Sequence, residues 1–213
     1  MYQSIRLLID ENNRINQLPH CQEVLFPLTA RGMRVISGKA KGHKLKAPKS
    51  DRVRPALDQV KEAVFNILFD VEDLSVLDLF AGCGSVGIEA LSRGAKSALF
   101  VEIWDKAVES IRENLAHCKL SESATIMKMP VERAIETLSR RGASFDLIFV
   151  DPPYLKELVN PTLEQLSRSG IAHRNSIIIV EHHPKEPVSA PESLVLTDSR
   201  KYGQTRISFL KLA

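Results

Sequence analysis

Two stretches decide the fold: Ser75–Gly87, SVLDLFAGCGSVG, and, about seventy residues later, Phe145–Tyr154, FDLIFVDPPY. In the first, Val76, Leu77, Leu79 and Phe80 form a short apolar run ending in small residues, the pattern of a buried parallel strand that runs into a tight turn. A helix is expected at once. Gly82, Gly84 and Gly87 give a G-x-G-x-x-G spacing, in which the backbone turns sharply and lies against a ligand with no side chain between. Taken alone, that spacing also fits a glycine-rich turn that binds nothing, or a dinucleotide site. The second stretch separates these readings. FDLIFV is another buried strand, and Asp151-Pro152-Pro153-Tyr154 sets a carboxylate and an aromatic ring on a stiff turn at its carboxyl end, where open α/β sheets bind ligands. The bland alternative is a rigid strand-ending turn with a chance tyrosine; a dehydrogenase has no need of the group.

The 213 residues, 44% of them hydrophobic, suffice for one domain with a sizeable core. No apolar run approaches the roughly 18 to 20 residues of a membrane span, and the opening lacks the basic-then-apolar pattern of a secretory signal. Cys21, Cys83 and Cys118 are scattered and odd in number, which suggests neither a disulfide framework nor a zinc cluster. The expectation is a monomer without metal or membrane contact, in the cytoplasm.

Charge is unevenly spread. Residues 31–54 carry nine Lys or Arg against Asp51 alone, whereas the whole chain is only +3. Such asymmetry suggests a polyanion held by one end of the molecule. Gly38 and Gly42 punctuate the run, so it reads as a small β-hairpin projecting Arg34, Lys39, Lys41, Lys44 and Lys46 toward phosphates; a merely solvated hairpin is the alternative. Residues 1–30 show little periodicity and no chemistry.

Along the remainder, a helix from about Leu57 to Phe69 buries Val60, Val64 and Leu68. Past the glycine loop, a helix ends at Gly94, a strand spans Ala98 to Val101, and Glu102 at its end is placed to accept hydrogen bonds from ribose hydroxyls. A helix over Asp105 to Leu120, a strand over Ala124 to Met127 and a helix over Pro130 to Arg140 lead to FDLIFV. Asn160-Pro161 reads as an N-cap with proline at the first helical position, closed by Gly170. A strand over Ile177 to Val180 is followed by Glu181-His182-His183-Pro184, read as a loop rather than a metal site, and Leu194 to Lys201 with Arg206 to Leu212 form a closing hairpin.

D-x-F-x-G-x-G at Asp78–Gly84 followed by D-P-P-Y at Asp151–Tyr154 resembles the S-adenosylmethionine-dependent methyltransferases that modify exocyclic amino groups of bases. The flanking text, MRVISGKAKGHKLKAP from Met33 and RKYGQTRISFL from Arg200, is similar to the RsmD family, which methylates N2 of a guanine in bacterial 16S ribosomal RNA. The likeness begins at about Met33, so residues 1–32 read either as a misassigned leader, with Met33 the true start, or as a species-specific extension. The resemblance implies a Rossmann-like class I methyltransferase fold over residues 55–213: a doubly wound, mostly parallel seven-stranded sheet with a C-terminal antiparallel hairpin, preceded by the basic N-terminal hairpin of residues 33–54. It implies S-adenosylmethionine bound by Asp78, Phe80, Ala81, Gly82, Gly84, Gly87 and Glu102, with Arg54 and Pro55 over it, and Asp151, Pro152, Pro153 and Tyr154 as catalytic residues. The implied partner is 16S rRNA in the small subunit or its assembly intermediate.

Two positions depart from the family pattern. Ala56 replaces a threonine that would cap the following helix, and Met129-Pro130 replaces the Gly-Asp whose aspartate accepts from adenine, leaving adenine recognition to backbone groups or to Glu132. DNA adenine-N6 or cytosine-N4 methylation, a non-catalytic RNA-binding assembly factor, and a dinucleotide oxidoreductase are the alternatives.

Overall fold

The computed structural model describes residues 33–48, 57–68 and 70–213. The readings of the leader, of Arg54 and Pro55, and of Ala56 lie outside these residues.

After α1 (Leu57–Leu68), strands and helices alternate: β1 (Ser75–Leu79), α2 (Ser85–Ser92), β2 (Ser97–Glu102), α3 (Asp105–His117), β3 (Ala124–Lys128), α4 (Val131–Arg140), β4 (Phe145–Val150), α5 (Val159–Ser169) and β5 (Ala172–His182), then β6 (Leu194–Tyr202) and β7 (Thr205–Leu212). They form one seven-stranded sheet in the order β3-β2-β1-β4-β5-β7-β6. β1 to β5 are parallel, and β7 runs antiparallel to both of its neighbours. The chain winds outward from β1 to β3 and then returns to place β4 on the other side of β1. The topological switch point therefore lies between β1 and β4.

Each central strand is apolar on both faces because both are covered. Val76, Phe100, Leu147, Phe149, Ile177 and Phe209 pack on one side with α1, α2 and α3. Leu77, Leu79, Val101, Ile148, Val150 and Ile178 pack on the other with α4 and α5. At the amino end of the sheet Asp146 fixes β1 beside β4: its Oδ2 accepts from the Ser75 N–H at 2.8 Å and the Ser75 hydroxyl at 2.6 Å.

The doubly wound sheet with its terminal hairpin matches the architecture expected from the sequence, and four local readings change. Helix α5 begins at Val159, so Asn160 is not its N-cap; its side-chain oxygen instead accepts from the Ser189 N–H at 2.8 Å, across the chain. Pro130 occupies the N-cap position of α4 rather than its first turn. α3 stops at His117, because Lys119 takes a left-handed φ of 58°. Glu181 and His182 belong to β5, which pairs with β7 through Glu181↔Ile207 and His182↔Arg206. His182 is buried and bonded on both ring nitrogens, to the Glu186 carbonyl at 2.8 Å and the Ser208 hydroxyl at 2.9 Å.

The basic segment differs most from expectation. Among the described residues one antiparallel bridge, Arg34↔Lys44, joins its arms. Its lysine side chains are exposed, as expected, but its backbone packs on the body: Val35, Ala40 and Leu45 are buried in the same core as α1 and α2. The segment is a strap lying along α2. Its carrier is Glu89, 0% exposed, which accepts from the Ile36 N–H at 2.7 Å and the Ser37 N–H at 3.0 Å while facing Arg93 at 2.8 Å and Lys61 at 3.6 Å. Lys61 also bonds the Arg34 carbonyl at 2.8 Å and the Ser85 hydroxyl at 3.0 Å. Gly38, at φ +80°, comes so close to the end of α2 that a Cβ there would lie 1.8 Å from the Ser92 carbonyl oxygen.

Candidate active site at the switch point

The register places the site. Leu79 is level with Val101 on β2 and with Val150 on β4, and Val150 is level with Val180 on β5. The next residue of each strand, Phe80, Glu102, Asp151 and Glu181, therefore falls in one row across the carboxyl edge of the sheet. Two backbone bonds hold the row together: the Ala81 N–H donates to the Val101 carbonyl at 3.0 Å, and the Asp151 N–H to the Leu79 carbonyl at 3.4 Å.

The glycine loop is shaped from within. Phe80 has a left-handed φ of 62°, a conformation that bulky residues adopt only where surrounding structure enforces it. Gly82, at φ +56°, has open space where a Cβ would stand, so its backbone face is available to a ligand. Its N–H donates to Glu102 Oε2 at 2.8 Å, and Glu102 Oε1 accepts from the N–H groups of Ile103 at 2.7 Å and Trp104 at 2.9 Å. The Glu102 carboxylate thus braces the rim of the loop.

Gly87 has a packing role. A Cβ there would lie 2.3 Å from Phe100 Cε1, so this glycine lets α2 pack directly on β2. Asp78 belongs to the same layer: it is 2% exposed, beneath the loop, and accepts from the Gly87 N–H at 3.0 Å. Burial pushes its carboxyl up to about 7 against the opposing pull of that N–H, and the Glu102 charge adds to the rise.

The opposite lip is the D-P-P-Y turn. Asp151 and Tyr154 are partly exposed and Pro152 is buried. The Tyr154 hydroxyl donates to Glu181 Oε1 at 2.7 Å and lies 2.9 Å from the Thr205 hydroxyl on β7. Burial, reinforced by the Glu181 carboxylate, raises its pKa, so the phenol stays protonated and a donor. The ring packs edge-on against His183 at 5.9 Å. Thr205 lies in no motif, and in the sequence Glu181 reads only as the start of a loop; pairing of β5 with β7 brings both to Tyr154.

Beyond Glu102 a groove of about 600 Å³ is lined by Ile103, Met129, Pro130, Arg133 and Glu136, among others. Glu132 does not line it; the carboxylate that does is Glu136, one turn further along α4. Of the basic residues, Lys39, Lys41, Lys44 and Lys46 are exposed and Arg34 is partly so. Arg34 and Lys44 lie at the glycine-loop end of α2 and Lys39 at its far end, about 10 Å away for seven residues of helix. Lys46 pairs with Glu113 at 2.9 Å, and its backbone is clasped by Asn114, which also donates to the Cys83 carbonyl at 3.0 Å. Among the described residues no helix is long and apolar enough to cross a membrane.

The family described as "Conserved hypothetical protein 95" matches residues 33–211. Ribosomal RNA small subunit methyltransferase D of Haemophilus influenzae is 33% identical over 85% of this chain and 95% of its own length. Its namesake from Escherichia coli K12 is 36% identical over 70% of this chain and 74% of its own. A solved Escherichia coli structure superposes with a TM-score of 0.73 at 32% identity, covering 84% of this chain and 97% of that one. With residues 33–211 matched by the family model and a relative 33% identical over 95% of its length, the chain belongs to this family, the RsmD family of class I methyltransferases.

Proposed function

We propose that this protein transfers a methyl group from S-adenosylmethionine to the exocyclic N2 amine of a guanine in 16S ribosomal RNA, within the small subunit or its assembly intermediate. The observation that carries this reading is the row Phe80–Glu102–Asp151–Glu181, which sets an open glycine loop and a partly exposed carboxylate on the two lips of one switch point. The cofactor fits the first lip: Gly82 offers uncovered backbone, and the Glu102 carboxylate suits a ribose diol. The groove past Ile103 and Met129 adjoins Glu102 and would take the adenine. Gly87 and Asp78 act from below by holding α2 against β2. Once bound, the cofactor supplies an electrophilic sulfonium methyl.

The chain's own task is to make a poor nucleophile attack. The lone pair of a guanine amine is delocalised into the ring. Asp151 and the Pro152 carbonyl, accepting from the two amino hydrogens, favour a more pyramidal nitrogen and stabilise the positive charge that develops on it. Tyr154, fixed by Glu181 and Thr205, offers its ring face to the turned-out base. Asp151 need not be a strong base, since the methylated nitrogen becomes acidic and loses its proton late, to the carboxylate or to water. Alignment of nitrogen, methyl and sulfur between the two lips supplies further acceleration. Arg34, Lys39, Lys41, Lys44 and Lys46 hold phosphates and set position without choosing the base.

The test is transfer of labelled methyl from S-adenosylmethionine to ribosomal particles and RNA from a strain lacking this gene, followed by nucleoside digestion. N2-methylguanosine in small-subunit RNA is the expected product. Tight cofactor binding with no transfer to any RNA or DNA would replace this reading with that of a non-catalytic assembly factor.

A further inference from the structure

Three features of the loop after Tyr154 have no part in the chemistry above. Leu155 is 57% exposed, a large apolar side chain beside the catalytic turn. It stands at a left-handed φ of 56°, and Glu157 repeats that value. A branched side chain avoids this region unless something holds it there. The holder is Glu186, a buried carboxylate whose Oε2 accepts from the Leu155 N–H at 3.0 Å. Its Oε1 has no hydrogen-bond partner among the described residues. A strained backbone and a desolvated acid are thus maintained together to display one leucine to solvent, which packing alone would not favour.

Enzymes that modify a base must take it out of its stack, and apolar side chains inserted between base steps are one means of opening a stack. Leu155 follows directly on the tyrosine proposed to receive the base. We propose that Leu155 is a wedge: it enters the RNA stack at the place vacated by the target guanine and holds its neighbours apart while the base lies against Tyr154. This rests on the methyltransferase reading above. Leu155 is a positioning residue, and Glu186 sets its backbone.

The test compares Leu155→Gly, Leu155→Ala and Leu155→Met in methyl transfer to small-subunit particles, wild-type transfer being measured first. Glycine adopts a positive φ without strain, so Leu155→Gly should fold at least as stably as wild type and bind S-adenosylmethionine unchanged, while kcat/KM falls about 10- to 100-fold. Leu155→Ala should fall similarly and Leu155→Met should retain most activity. The second arm uses particles reconstituted with RNA bearing abasic sites on both sides of the target guanine. With no stack to open, the glycine and alanine variants should come within about threefold of wild type. A deficit of equal size on both substrates, or no deficit on either, overturns the wedge. Absence of wild-type transfer overturns the methyltransferase reading itself, and the wedge with it.

Discussion

The loop leaving β1 and the loop leaving β4 start side by side at the switch point, yet they are built in opposite ways. The glycine loop turns its N–H groups inward, Gly82 to Glu102 and Gly87 to Asp78, and closes on the Phe100 ring at Gly84 and Gly87. It is shaped by the absence of side chains. The D-P-P-Y loop has two prolines without N–H groups, a tyrosine anchored at its far end and an exposed leucine on strained backbone. It is shaped by side chains, and directs them outward. A cradle for a small cofactor needs bare backbone on a packed floor; a lip that meets a large substrate needs stiff, protruding groups. Damage to the first should therefore register in stability, and damage to the second in turnover.

The sharpest division should come from Asp151→Ala: turnover falls about a thousandfold or more, while cofactor affinity measured by calorimetry stays nearly intact. A matching loss of cofactor binding would make the residue structural. Next in size is the pH dependence of Asp78. Its carboxyl titrates at about 7 in the folded chain against 3.8 for the ordinary group. Between those values the unfolded chain releases a proton that the folded chain keeps, so the contribution of Asp78 to stability is complete below about pH 4 and lost as pH rises toward 7. The loss is at most about 4 kcal/mol, at about 1.4 kcal/mol per unit. Asp78→Asn, which still offers an oxygen to the Gly87 N–H, should remove that decline in urea unfolding of the cofactor-free protein; parallel pH profiles would contradict it.

Glu89→Gln extends the comparison to the strap. It leaves Lys61 and Arg93 without their buried carboxylate and should cost about 3 kcal/mol. Hydrogen exchange should rise first in residues 35–40; uniform exchange across the chain would deny Glu89 its role as carrier. The smallest effect is Gly87→Ala, whose added methyl meets the buried Phe100 ring. It should cost about 1–3 kcal/mol of stability by overpacking. Folded variant that binds cofactor normally should methylate at nearly the wild-type rate, whereas a large drop in turnover at full stability would blur the distinction between the loops.

Much of this was legible in the sequence because it depends on neighbours along the chain. Apolar runs bounded by glycine and proline locate β1 and β4, and the adjacency of Asp151 to its strand needs no third dimension. Glu102 stands out because a strand end follows the glycines at a fixed distance. Several of the differences concern residues whose partners are remote in sequence. Asn160 resembles a cap until Ser189 is seen to use its oxygen, and the packing role of Gly87 shows only once Phe100 is placed beneath it. Glu89, an acid within the apolar run VGIEAL, carried a signal that could have been read: a charge on a buried helix face requires partners.

The sequence by itself determined the sheet's parallel character, the two lips of the site and the uneven charge, since each follows from local periodicity, backbone chemistry or composition. Only the tertiary structure decided that the basic segment is a strap carried by Glu89, that Glu181 and Thr205 fix Tyr154, and that Glu186 holds Leu155 in strain. Those contacts join segments distant along the chain, 52 residues apart for Ser37 and Glu89 and 51 for Tyr154 and Thr205. Hydrogen bonds of that span have no local pattern to announce them; they exist once the sheet has brought the segments together.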